Sequence, residues 1–461
     1  VSKSKFTNLA LLNFIVRKLS AIKLDNEETI LVMVQHVLET TGSLVESFLS
    51  LGFKADNIFI TGKLYSNCRD TEQKFRELGI TYIEGETRFK PGTFSESFGN
   101  SIKDRLWGSV ADKLKEKAGK QKIIILDDGG YGVKYAPKEI LKNHCIVGVE
   151  QTTSGLSAPD QDHNIDLPVI QVAASACKKL LEPHLIAKSI LTITQRKIPQ
   201  LGLSRQQKIG IIGFGDLGVG LYKYLIDSNY DVCVFDIESR KLQGMVPASK
   251  QADAAISLVR ESDVVFGCTG CDISSEEWTT DLAGTKILIS CSSSDIEFRT
   301  LLKRCSKYLT RMPDSPLDNL MIRVSPRLNF RFMRGGFPIN FDGSAYCSIP
   351  AHEIQLTRAL LLIGVIQANF LLDKATSKKL GKATDEILSY KNYYTLNAEW
   401  QHMIAQEWLT IPSIAEYYDN ATKSKFNSID SVAYHSGSNP SDRTLFYDFT
   451  ASNFKTNEAY S

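Results

Sequence analysis

The stretch "KIGIIGFGDLGVGLYKYLIDSNYDVCVFD", residues 208 to 236, leaves few folds open to this chain. A short apolar run, Ile209 to Ile212, passes straight into glycines at 213, 215 and 218 and then into a helical pattern. A second apolar run ends at Asp236. Each part has a physical task. Gly213 permits the tight turn, Gly215 lets the backbone approach a pyrophosphate, and Gly218 lets the helix lie close against the strand. Asp216, Leu217 and Gly218 open the helix, where free amides and the helix dipole favour a phosphate. Asp236 can accept both hydroxyls of a ribose and would repel a 2′-phosphate. The expectation is a dinucleotide site that takes NAD in preference to NADP. "CTGCDI" ends a later strand of the same unit, so Thr269 and Gly270 are expected to flank the nicotinamide side. Cys268 and Cys271 then belong to a close-approach loop, and no metal site is expected.

A similar alternation occupies residues 29 to 125. "TILVMV" reads as a buried strand, "TTGSLVESFLSLG" as a helix stopped by Gly52, and "NIFIT" as a strand. "DTEQKFRELG" follows as a helix stopped by Gly79, then "TYIEG" as a strand, a polar insertion, a helix over about 100–118 and the strand "KIIIL". Such alternation predicts a parallel sheet with helices on both faces, with ligands at the carboxyl ends of its strands. His36, Asp127, Asp128 and the "EQTTSG" loop all sit at or beyond such ends. A long helix is expected from Pro183 to about Arg196, with the proline at its first position. The fold class is therefore α/β: two Rossmann-like, doubly wound parallel-sheet domains and a helical or irregular C-terminal extension. The expected boundaries are 1–197 for a substrate domain, 198–325 for the NAD-binding domain, 326–373 for a return to the first, and 374–461 for the extension.

Composition narrows the function classes. Net charge is +2 over 461 residues, so no global basic field points to nucleic acid or an anionic membrane. Nine scattered cysteines without a disulfide framework suit a reducing cytoplasm. No signal peptide is expected. The most apolar run, "ALLLIGVIQANFLL", carries Gln367 and Asn369 and reads as a buried helix too short to span a bilayer.

Taken in order, "ILDDGG", "EQTTSG", "GFGDLG" and "CTGCDI" resemble the S-adenosylhomocysteine hydrolase family across roughly residues 25 to 370. "HVLETTGSLVESFLSLG" resembles that family's first active-site segment. The resemblance implies redox-assisted chemistry. Bound NAD oxidises a ribose 3′-hydroxyl, the ketone acidifies the C4′ proton, the 5′-thiol is eliminated, water adds, and the ketone is reduced back. It also implies roles by position. Lys178 would act near the 3′-hydroxyl and C4′, with Glu182 standing for an aspartate. His36 and Asp128 would handle the leaving group and water at C5′. Gln151, Thr41 and Asn340 would line the substrate, and Thr152, Thr153 and Ser154 would bond cofactor ribose or phosphate. The resemblance further implies a homo-oligomer, a dimer or tetramer, acting on a small molecule.

The departures from the family matter as much. Leu38 and Thr40 stand where it has a threonine and a glutamate that contact adenine. Gln151 replaces a ribose-binding glutamate, and Ser293 a histidine. Ala173 and Pro183 replace asparagines near the lysine. Groups that do chemistry are kept, and groups that recognise adenine are mostly replaced. The expectation is an NAD-dependent enzyme of this kind acting on a nucleoside other than S-adenosylhomocysteine. The alternatives are a catalytically silent, NAD-binding regulatory homologue, or a dehydrogenase of the 2-hydroxyacid type.

Overall fold

Strand β1 (Ile30–Val37) is buried along its whole length, as its unbroken apolar run requires of a central strand in a parallel sheet. The structure, a computed structural model, describes residues 5–20, 26–156, 167–197, 206–309, 313–341, 349–376 and 393–415. These form two units. One comprises 1–85, 99–182 and 350–461, and the other 86–98 and 183–349.

In the first unit β1 is followed by β2 (Ile58–Asn67), β3 (Thr81–Ile83), β4 (Lys122–Asp127), β5 (Cys145–Glu150) and β6 (Val169–Gln171). The helices Glu39–Ser50 and Arg69–Glu77 lie between the early strands, and Gly52 and Gly79 just past them take φ of 95° and 80°. The sheet order is β13-β6-β5-β4-β1-β2-β3, all parallel, where β13 is Tyr393–Thr395. Strand order reverses between β1 and β4, so a crevice opens there at the carboxyl ends. His36 and Asp128 stand at that place.

The apolar helix Ala351–Thr376 belongs to this unit, and 89% of its most apolar window is buried inside it. Gln367 and Asn369, the polar residues within its apolar run, are satisfied internally, which is why the core tolerates them. Gln367 donates to the Thr395 carbonyl at 3.0 Å and accepts from the Asn397 amide at 3.0 Å. Asn369 accepts from Thr29 at 3.0 Å and donates to Asn26 at 2.7 Å. Gly364 lets the helix close on the sheet, since a Cβ there would stand 2.8 Å from Val149.

The second unit holds β7 (Lys208–Ile212), β8 (Asp231–Phe235), β9 (Val264–Gly267), β10 (Gly284–Ser290), β11 (Leu320–Ser325) and β12 (Leu328–Phe332). Their order is β11-β12-β10-β9-β7-β8, with only β11 antiparallel. The order reverses between β7 and β9, beside Gly213.

Several sequence expectations need correction. The chain does not leave the second unit at 326. β12 pairs with β10, so the crossing to the first unit comes at Pro350. The insertion 86–98 belongs to the second unit, where the Phe94 amide donates to Asp295 at 3.0 Å and Lys303 pairs with Glu96 at 2.6 Å. The helix expected from Pro183 begins at Ala176 and runs to Lys197, with Pro183 inside it and the unit boundary at that residue. A helix can carry such a proline at the loss of one backbone hydrogen bond. The described part of 374–461 is no separate extension. β13 and the helix Ala398–Leu409 belong to the first unit, with Trp408 Nε1 donating to the Glu353 carbonyl at 3.1 Å. Residues 377–392 and 416–461 lie outside the described residues.

Candidate functional site

The first unit gathers a chain of buried polar groups where β1, β2 and β4 end. His36 Nε2 lies 3.1 Å from Asp128 Oδ2, and its Nδ1 meets Ser66 Oγ at 2.6 Å. The other Asp128 oxygen accepts from Lys63, and both of these side chains are fully buried. Burial alone would raise Asp128 and lower Lys63. Their mutual attraction, with His36 beside the carboxylate, more than reverses this, so Asp128 is held well below and Lys63 well above the ordinary value. Burial lowers His36 against the pull of Asp128, leaving a neutral imidazole near pH 7. An ionised carboxylate can only accept, so the ring proton sits on Nε2 and Nδ1 receives the Ser66 hydroxyl.

A second pair stands on the helix Ala176–Lys197. Lys178 Nζ lies 2.8 Å from Glu182 Oε2 and donates to the Gln151 carbonyl at 2.7 Å. Thr357 holds the other Glu182 oxygen at 2.6 Å. Gln151 is buried and its Oε1 has no partner among the described residues, which suits a donor from a ligand. Lys178, Glu182, His36, Asp128 and Gln151 thus all fall in one unit, at or near the strand ends.

Other expected residues serve differently. Thr41 is buried and donates its hydroxyl proton to the His36 carbonyl, so it closes the turn after β1. Thr152 is engaged by Glu150: its amide and hydroxyl each donate to Glu150 Oε1 at 2.7 Å. Thr153 is exposed at the start of a short helix, and the Ser154 side chain lies outside the described residues. Asn340 is buried in the second unit, next to Ile339, whose amide donates to the Ser290 carbonyl at 3.0 Å.

Sequence reasoning missed Glu150. It ends β5 and also accepts the Gly129 and Gly130 amides at 3.0 Å each, so it organises the whole "DDGG" turn. Burial, and then Asp127 beside it, push Glu150 up to about 8 against these four donors. Burial pushes Asp127 up to about 6. Between the ordinary carboxylate range and about 8, an unfolded chain sheds the Glu150 proton while the folded one keeps it. Stability therefore falls as pH rises through that window. The Asp128 pair acts in a different range, since its contribution is lost only as pH falls below the ordinary carboxylate value. We expect melting temperature to decline from about pH 5 to about pH 8, with a visibly smaller decline in Glu150→Gln. Equal slopes in calorimetric scans of the two proteins would refute this assignment.

The second unit builds a dinucleotide cradle. Gly213 has φ of 98°, and a Cβ there would stand 2.8 Å from the backbone of Cys268, so that loop packs directly against the turn. A Cβ on Gly218 would meet the Gly213 carbonyl at 2.0 Å, whereas one on Gly215 would enter open space. That space, before the amides of Asp216, Leu217 and Gly218, is where a pyrophosphate fits. Asp236, at the end of β8, accepts from the amides of Phe214 at 2.6 Å and Glu238 at 2.8 Å. These fix its carboxylate beside the cradle. Thr269 and Gly270 are held by Glu297, another buried acid the sequence did not announce. It accepts both of their amides at 2.7 Å and the Thr269 hydroxyl at 2.9 Å.

A family profile for the NAD binding domain of 6-phosphogluconate dehydrogenase matches residues 208–316. Two uncharacterized proteins of Mycobacterium tuberculosis, from strains CDC 1551 / Oshkosh and ATCC 25618 / H37Rv, are each 28% identical over 343 residues. That span is 74% of this chain and 64% of the relatives' length. Among solved structures, the chain is similar to cofactor (NAD+)-bound 3-phosphoglycerate dehydrogenase of Entamoeba histolytica. The TM-score is 0.37 at 10% identity, over 76% of this chain and 97% of that one. It is also similar to an NAD-complexed D-isomer specific 2-hydroxyacid dehydrogenase of Lactobacillus delbrueckii ssp. bulgaricus. There the TM-score is 0.33 at 10% identity, over 73% and 98%. With the profile match and the cradle geometry together, residues 208–316 are an NAD-binding domain, and NAD is the cofactor.

Proposed function

We propose that the chain is an NAD-dependent enzyme that transiently oxidises a sugar hydroxyl of a nucleoside-type substrate and uses the ketone to labilise the neighbouring C–H bond. The observation that supports this reading is that the first unit holds two separate proton-handling pairs, Lys178–Glu182 and His36–Asp128. A simple alcohol oxidation needs one. Oxidation followed by proton abstraction and elimination needs two. When bound, NAD supplies the two-electron oxidation and its reversal. Lys178 then accepts the carbon-bound proton, and Glu182 stabilises the ammonium that results. His36, held against Asp128, gives a proton to the leaving group in its imidazolium form and, neutral again, takes one from the water that replaces it. Lys63 keeps Asp128 ionised for that purpose.

A second reading is a dehydrogenase of the 2-hydroxyacid type. The His36–Asp128 pair favours it, together with the charge of Arg358 felt at the imidazole. The match of residues 208–316 to a dehydrogenase NAD domain supports this second reading better than the first.

The two part company in deuterated water. Incubated with a panel of nucleosides, the NAD-loaded protein is expected to show reduced cofactor by absorbance. The responding nucleoside should gain one deuterium at C4′ by mass, without net release of NADH. Net NADH release with a 2-hydroxy acid, and no exchange on any nucleoside, would overturn the first reading in favour of the second.

A further inference from the structure

The two ring nitrogens of His36 are held by unlike partners. Nε2 faces Asp128, an ionised carboxylate that can only accept, whereas Nδ1 faces Ser66, a hydroxyl that can donate or accept. An irregularity of the sheet brings Ser66 there. Between Gln35 and Val37 of β1 the partner strand β2 advances from Gly62 to Asn67, so the residues from Lys63 to Ser66 bulge out of register. Bulges re-aim side chains, and this one sends Lys63 to Asp128 and Ser66 to His36. It also leaves Ser66 Oγ 3.3 Å from the Lys63 carbonyl, which is a second acceptor for the hydroxyl proton. His36 and Ser66 are both buried, so a hydrogen bond lost in either charge state of the ring is costly.

We propose that Ser66 is the positioning residue that lets His36 be neutral or charged with every hydrogen bond kept. With the ring neutral, the Ser66 hydroxyl donates to Nδ1. When Nδ1 takes up a solvent proton, the hydroxyl turns to the Lys63 carbonyl and its oxygen accepts from Nδ1–H. The contact of Nε2 with Asp128 is the same in both states. The charged groups facing the ring bias its titration but cannot make this exchange: Asp128 favours the imidazolium, and Lys63 and Arg358 oppose it. Tyr65 packs edge-on against the ring at 5.9 Å. The use of this device in catalysis rests on the proton shuttling proposed for His36, while the titration that tests it needs no substrate.

The test is a pH titration of the full, NAD-loaded chain carrying isotope-labelled histidine, followed by NMR. The His36 signals are those missing from His36→Gln. Wild type is expected to show the Nε2–H tautomer when neutral and, on acidification, a slowly exchanging Nδ1–H. Ser66→Ala removes an ordinary bond from the neutral ring but a charge-assisted one, roughly twice as strong, from the imidazolium. Its His36 midpoint should therefore fall by about one pH unit, and Ser66→Thr, which keeps the hydroxyl, should restore the wild-type midpoint. A side chain that merely fills space would alter stability and leave the midpoint alone. An unchanged or raised midpoint in Ser66→Ala, or a threonine variant that titrates like alanine, would overturn the proposal. So would a ring that never charges over the pH range in which the chain stays folded. Should Ser66→Ala not fold, Ser66→Cys, whose thiol is a weak donor and acceptor, is read in its place. A midpoint that shifts as expected, with no nucleoside exchanging at C4′, would keep the role of Ser66 and remove only the nucleoside reading.

Discussion

Asp128→Asn should destabilise the first unit by about 3–5 kcal/mol, a fall in melting temperature on the order of 10 °C. The reason is the charge it leaves behind. Lys63 is fully buried, and Asp128 is the carboxylate that holds its ammonium. An amide cannot compensate that charge, and its single acceptor oxygen cannot serve both Lys63 and the His36 ring. Removing the stranded cation as well, in Lys63→Met with Asp128→Asn, should recover part of the loss, because an absent pair costs less than half of one. Urea or thermal unfolding of the two variants beside wild type checks both statements. A single variant that melts within about 2 °C of wild type would mean that the pair is far better solvated than its burial indicates.

Lys178→Ala is the second large effect expected, and it falls on chemistry instead of stability. Loss of a positioned base typically costs about 10²–10⁴ in rate. Substrate C–H exchange should drop by that much, while NAD still copurifies, because the glycine cradle belongs to the second unit. Lys178→Arg should be no better than alanine, since a guanidinium does not give up its proton in this range. Mass spectrometry of substrate recovered from deuterated water reads the exchange directly. Exchange at the wild-type rate in Lys178→Ala would move the base to another residue.

The parts of this protein legible in its sequence are those governed by local pattern. Continuous apolar runs announced β1, β4 and β7, and glycine spacing announced the turn at 213 to 218. The strand-end position of His36 and Asp128 followed from the alternation alone. What escaped depends on residues far apart in the chain. Lys63 sits just past the run read as "NIFIT", and nothing nearby shows that its charge will be buried against Asp128. Glu150 and Glu297 look like ordinary loop acids until the amides of Gly129 and Gly270 are seen to converge on them. β12 was misplaced because five alternating residues do not say which sheet they will join. Pro183 misled for a different reason. Proline usually marks a helix start, and here the helix absorbs it.

The first unit is drawn from three separated stretches of chain, and this bears on how it can be made. A ribosome delivers β1 to β6 and only later the helix Ala351–Thr376, which closes on Val149 and Val172 through Gly364. The entire sheet of the second unit, ending with Phe332, emerges in between. At ordinary translation speeds the delay is on the order of ten seconds. For that time the nascent sheet carries a bare apolar face with no segment yet synthesised to cover it. Production of this protein in quantity should therefore depend on chaperone supply and translation rate more than on its final stability.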